Sequence, residues 1–160
     1  MRVPDHENEE IVEHSPSSRE GWCGLLAQAD PHRLTMLLDD LLTEARAFGD
    51  VRLLRPTQTG TAQLVVREPI VEERFIIGDA LVTVAEVSFR GTMGWSMRQG
   101  GDQRATISAA IADAILTTGD PILCPPILTF VESVRQSLEA ERRRDWEMVK
   151  DTAISFEELD

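Results

Sequence analysis

Side chains able to carry protons, ligate soft metals or attack a carbonyl are scarce in this chain. All three histidines, His6, His14 and His32, lie before residue 33, and the two cysteines, Cys23 and Cys124, stand far apart. There is no tyrosine, and Lys150 is the one lysine. A Ser-His-Asp or Cys-His nucleophile therefore cannot be assembled from the body of the chain. Nor is there a close-spaced set of histidines and cysteines of the kind that holds zinc or copper. No glycine-rich loop ends in Gly-Lys-Ser/Thr, which removes a P-loop. Carboxylates remain, with Asp79, Asp102 and Asp113 as candidates to hold magnesium, but their spacing pairs none of them. An accessory or binding role fits this inventory better than independent catalysis, and no metal site is expected.

Two groups of residues could bind something. The first is the turn Gly100 to Arg104, where Gly100 and Gly101 let backbone N–H groups approach an anion at a helix start. Arg98 and Arg104 could add charge-assisted bonds, while Asp102 stands at the helix-cap position and would repel phosphate. A plain strand-to-helix turn accounts for the same residues. The second is Trp146, Met148 and Val149, which return to apolar character after the charged run Glu141–Arg144. They read either as a partner-docking point or as a helix end folded back on the domain. Arg74 beside Phe75 is a further candidate contact or a polar strand end, and Asp113 is a lone acid in an alanine-rich helix.

Charge narrows the partners. The 160-residue chain holds 28 acids against 16 bases, a net charge of −12. Residues 1–14 carry five acids and Arg2, and residues 151–160 carry four acids and no base. Such a surface repels a phosphate backbone, so nucleic acid is not expected as a partner. No apolar run approaches membrane-spanning length, and the acidic N-terminus is no export signal, so no membrane partner and a cytoplasmic location are expected.

The elements that must position these residues follow from periodicity and caps. Residues 1–16 read as a disordered acidic arm, 17–150 as one domain, and 151–160 as an acidic tail containing Phe156. Ser17-x-x-Glu20 has capping-box spacing, opening a short helix with Trp22, Leu25, Leu26 and Ala29 on one side. Asp30-Pro31 starts a second helix whose leucine stripe runs through Ala45 and Phe48 to Gly49. Strand candidates follow at Val51–Arg55, Thr61–Arg67, Arg74–Ile77, Ala80–Phe89 and from Thr92, with Gly78-Asp79 and Arg90-Gly91 as hairpin turns. Met93, Trp95 and Met97 alternate with Gly94, Ser96 and Arg98, and the large row reads as core. An alanine-rich helix spans Gln103 to about Thr118. Cys124-Pro125-Pro126 reads as extended, ahead of a long last helix. The expected fold is α+β: an antiparallel β-meander of about five strands packed with helices, an N-terminal helix pair and a long C-terminal helix.

The order of these pieces resembles a known family, PhnG, a component of the bacterial carbon–phosphorus lyase system. The resemblance rests on Arg19-x-x-Trp22-x-x-x-Leu26-Ala27-x-Ala29, on Leu54-Arg55-Pro56 with Thr59-Gly60, and on Glu73-Arg74-Phe75-x-x-Gly78-Asp79. It continues through Thr83, Gly91-Thr92-x-Gly94-Trp95, Gln99-Gly100-x-Asp102, Ala110-x-x-Asp113-Ala114 and Trp146-Glu147-Met148-Val149-Lys150. It implies a supporting, noncatalytic subunit of the lyase core complex, with H, I and J subunits as partners and I as the most direct contact. Outside that complex the chain would be open to self-association. It implies a part in forming ribose 1-methylphosphonate 5-triphosphate, a transferase step with ATP as a substrate of the complex and no cofactor in this subunit. Two arginines of the usual pattern are missing, where Val84 and Gly101 stand, and Glu68-Pro69-Ile70-Val71-Glu72 replaces a glycine-rich turn. Any anion contact those arginines make does not carry over. The alternative is a stand-alone module binding a phosphorylated sugar or nucleotide.

Overall fold

The computed structural model describes residues 16–68 and 73–150. The acidic arm before Pro16, residues 69–72 and the tail 151–160 with Phe156 lie outside the described residues. The elements are α1 (Arg19–Gln28), α2 (Pro31–Glu44), β1 (Val51–Leu53), β2 (Gln58–Arg67), β3 (Arg74–Phe89), β4 (Thr92–Gln99), α3 (Gln103–Thr118) and α4 (Cys124–Lys150). The fold is α+β, as expected.

β3 is the spine of the sheet. β1 and β2 pair along one of its edges, one after the other, and β4 pairs along the other edge, all antiparallel. The sheet is thus a meander from β2 to β4, with β1 added on β3 in line with β2. The Arg90-Gly91 hairpin forms, with φ of 48° and 85° at its two central residues. Those angles fit the left-handed geometry of a tight two-residue turn. Arg90 holds this strained conformation by donating to Asp50 Oδ2 at 2.7 Å and Asp120 Oδ2 at 2.8 Å, with its guanidinium 4.8 Å from the Phe89 ring.

The second expected hairpin does not form. Gly78 and Asp79 lie within the continuous 16-residue β3, paired with Leu64 and Gln63. Gly78 does not take the positive φ that such a turn requires. The register shift between Leu64 and Val65 leaves Ile77 as an extra residue, so the local irregularity is a bulge. Thr59-Gly60 likewise lies inside β2, because Gly60 pairs with Val82.

Three helix boundaries move for local reasons. Ser18, one residue later than expected, caps α1 by accepting from Gly21 N at 3.1 Å. α2 starts as read, with Asp30 Oδ1 accepting from Arg33 N at 2.8 Å, but ends at Glu44 instead of Gly49. Arg46, at φ 50°, reverses the chain there, with Arg46 N bonding Thr43 O and Ala47 N bonding Leu42 O. This is a Schellman closure without glycine, and it buries Ala47 while leaving Phe48 exposed. α4 begins at Cys124, so the two prolines lie in its first turn, where no N–H bond is lost. Asp120 Oδ1 accepts from Ile122 N and Leu123 N just ahead of it.

α3 is the centre of the core, with Ala105 to Leu116 buried almost without interruption. It packs on the sheet face formed by Thr83, Ala85, Val87 and Phe89, and on its other sides against α1, α2 and α4. Small side chains make this possible. A methyl group at Gly94 would stand 2.0 Å from Ala110 O and 2.7 Å from the Ala114 Cβ.

Candidate functional site

The sheet packs with its small row inward. Gly94, Ser96 and Arg98 are buried, and Met93, Trp95 and Met97 face out with exposures of 57%, 42% and 41%. This reverses the expectation that the large row is core. Alternation established that the two rows face opposite ways, but α3 sits so close to β4 that only a glycine fits at position 94 beneath it.

Asp113 is fully buried at the junction of α1, α3 and β4. Its carboxylate accepts from Arg19 Nε (3.1 Å) and Nη2 (2.8 Å), Trp22 Nε1 (2.9 Å), Cys23 Sγ (3.3 Å) and Trp95 N (3.0 Å). Arg19 also donates to Met93 O at 3.2 Å. Burial pushes the Asp113 pKa up, but the bonds from Arg19, Trp22, Trp95 N and Cys23 outweigh it and hold the carboxyl below its ordinary value. With its lone pairs occupied it is a structural anchor; Asp113 accepts from Trp95 N and Arg19 donates to Met93 O, so the pair satisfies two backbone groups of β4. Burial, with Asp113 beside it, pushes the Cys23 thiol up to about 12, so it stays protonated and unreactive at neutral pH. Sequence reasoning does not single out Arg19, Trp22, Cys23 or Trp95 as site residues. The signal available is Asp113 itself, an acid inside an alanine-rich helix that needs donors from elsewhere.

The residues of the expected anion turn go to separate places. The Arg98 guanidinium is buried and donates to Leu26 O and, at 2.6 Å, to Ala29 O, closing the carbonyl end of α1. Burial lowers its pKa, opposed by the nearby charges of Asp102 and Asp30. Arg104 pairs with Asp39 of α2. Asp102 caps α3 by accepting from Ala105 N at 2.9 Å, and Gly100 O accepts from Thr83 Oγ1 at 2.7 Å. Gly100 needs its freedom, at φ 92°, while Gly101 has open space around it.

Beside Arg104 lies an open cavity of about 390 Å³ between α2 and α3, walled by Leu38, Leu42, Phe48, Val51, Ile107 and Ile111. Its lining is apolar, with the Asp39–Arg104 pair among its few polar groups. Among the described residues, no group of three or more His, Cys, Asp or Glu could hold a metal ion. None of the described helices is long and apolar enough to cross a membrane.

The remaining candidates are on the surface. Trp146, Met148 and Val149 are 70%, 71% and 56% exposed on a stretch of α4 whose described side chains from Glu141 onward are all exposed. Trp146 therefore does not fold back on the domain. Arg74, Phe75 and Asp79 are exposed on β3, and Gly78 is half-buried there.

Residues 17–159 match the family model described as phosphonate metabolism protein PhnG. The chain belongs to the PhnG family. Membership connects it to phosphonate metabolism. In this PhnG chain, residues from the separate motifs Arg19-x-x-Trp22, Gly94-Trp95 and Ala110-x-x-Asp113-Ala114 meet at one place, the Asp113 anchor.

Proposed function

We propose that this chain is a noncatalytic, supporting subunit of the carbon–phosphorus lyase core complex, assembled with H, I and J subunits and touching I most directly. In that role it supports formation of ribose 1-methylphosphonate 5-triphosphate from ATP and methylphosphonate. ATP is a substrate of the complex, and the subunit contributes no cofactor. The family match supports the pathway. The surface carries the supporting role: Trp95, Met97, Trp146 and Met148 are exposed, while the buried carboxylate and guanidinium are bound to structural partners. Large apolar side chains outward and saturated polar groups inward are what a subunit needs from its own residues.

Co-expression with the I subunit tests this. A stable co-eluting complex, weakened by Trp146→Ala, is the expected result. The purified chain alone should not cleave the glycosidic bond of ATP. Robust turnover by the isolated chain, or companions that elute separately, defeats the proposal. Calorimetry with ATP, ribose phosphates and phosphonates addresses a stand-alone binding module, which micromolar binding by the lone chain would favour.

A further inference from the structure

β4 covers β3 only as far as Val82, which pairs with Gln99. Beyond that point β2 and β3 continue as a two-stranded ribbon, Thr61–Arg67 against Arg74–Leu81. Among the described residues no third strand pairs with this ribbon, and two-stranded ribbons alone are marginal in water. This ribbon nevertheless exposes a run of large apolar side chains: Leu64, Val65, Val66, Phe75, Ile76 and Ile77. Val66 pairs with Phe75, and Val65 with Ile76. Successive residues point to opposite faces, so one pair lies on each face. Exposures are 38% and 49% for the first pair, and 54% and 57% for the second. Both faces of the ribbon therefore expose apolar side chains.

We infer that this ribbon is an insertion arm that seats in an apolar cleft of a companion subunit, which closes on both of its faces. The inference rests on the reading of the chain as a subunit of an assembly. Two observations select a cleft in another polypeptide over a second copy. A symmetric pair of ribbons laid face to face would bury one face of each and leave the other in water. Charge also argues against self-recognition. From Thr61 to Glu68 and Glu73 to Leu81 the ribbon holds Arg67 and Arg74 against Glu68, Glu73 and Asp79, which is −1. The whole chain carries −12, so two copies repel while the ribbon itself is nearly neutral. What recognises it is apolar, and its binding depends little on salt.

The full chain is co-expressed with the H, I and J subunits, as wild type, Phe75→Glu and Ile76→Glu. Wild type should co-elute with a companion and persist in about 0.5 M salt, where surface charges are strongly screened. Each variant should weaken association at least about tenfold, since a charge then enters an apolar contact on one face or the other. Hydrogen exchange on the wild-type complex should show protection at residues 61–67 and 75–81 relative to the free chain. This measurement stands even if a variant fails to fold. If wild type co-elutes but neither variant matters and the ribbon gains no protection, the ribbon inference fails and the subunit reading survives. If only one variant matters, the cleft is wrong and a flat contact replaces it. A free chain that dimerises in sedimentation, and is returned to monomer by either variant, makes a second copy the occupant. Wild type that co-elutes with no companion sinks both readings.

Discussion

Five donor atoms converge on the Asp113 carboxylate, from Arg19, Trp22, Cys23 and the backbone of Trp95. Replacing it by alanine leaves the Trp22 and Trp95 N–H groups without an acceptor. Arg19 is half-exposed and can turn to water, which reduces the ion-pair part of the loss. Asp113→Ala should cost about 3 kcal/mol, read from denaturant unfolding. The folded pKa lies below the ordinary value, so the stabilisation is complete above about pH 4 and is lost as pH falls through the folded pKa. Melting curves between about pH 6 and about pH 2 should therefore fall less steeply for Asp113→Asn than for wild type; equal slopes would show that Asp113 does not carry this effect. The thiol next to it gives a second test. Cys23 is held up at about 12 and Cys124 is buried, so neither should react with Ellman's reagent in the native protein at about pH 8. Both should react in denaturant, and rapid native labelling of Cys23 would contradict its position against Asp113.

Elements were legible where the determining bond is local. Asp30-Pro31 and Asp102 mark helix starts because each acts on N–H groups within a turn of itself. Gly49 and Gly78 misled for the converse reason. Arg46 took the left-handed position that closes α2, and pairing with β2 kept Gly78 extended. No short-range pattern distinguishes a glycine that turns from one that pairs. Gly94 is explained only by the neighbouring element: it has no unusual φ, and its missing side chain is what lets α3 approach. Gly94→Ala should destabilise by about 1–3 kcal/mol, with β4 and α3 forced apart, and a chevron or melting comparison reads it directly. An unchanged stability would mean that the helix can retreat without loss.

At the scale of the molecule, α3 and the helices packed on it lie on one side of the sheet, and Met93, Trp95 and Met97 lie on the other. α4 continues past the core, and Trp146, Met148 and Val149 are exposed on that extension. Because Trp146 is 70% exposed, Trp146→Ala should change the unfolding free energy of the isolated chain by less than about 0.5 kcal/mol. A loss well above that would place the indole in a stabilising contact and remove it as a docking residue. The ribbon, the open sheet face and the end of α4 together describe a subunit with more apolar surface than its own core can use.

Residue order alone established the α+β class, the helix pair, the Arg90-Gly91 hairpin and the poverty of catalytic groups, because composition, caps and periodicity act within a few residues. It also brought the family into view, since the matching motifs are strings of neighbours. Which face of β4 is buried, where Arg98 and Asp113 find their partners, and that β2 and β3 run on as a two-stranded ribbon past the end of β4 depended on contacts between distant segments. Burial is a property of what packs opposite, and a strand's own alternation reads the same whichever side its neighbour takes.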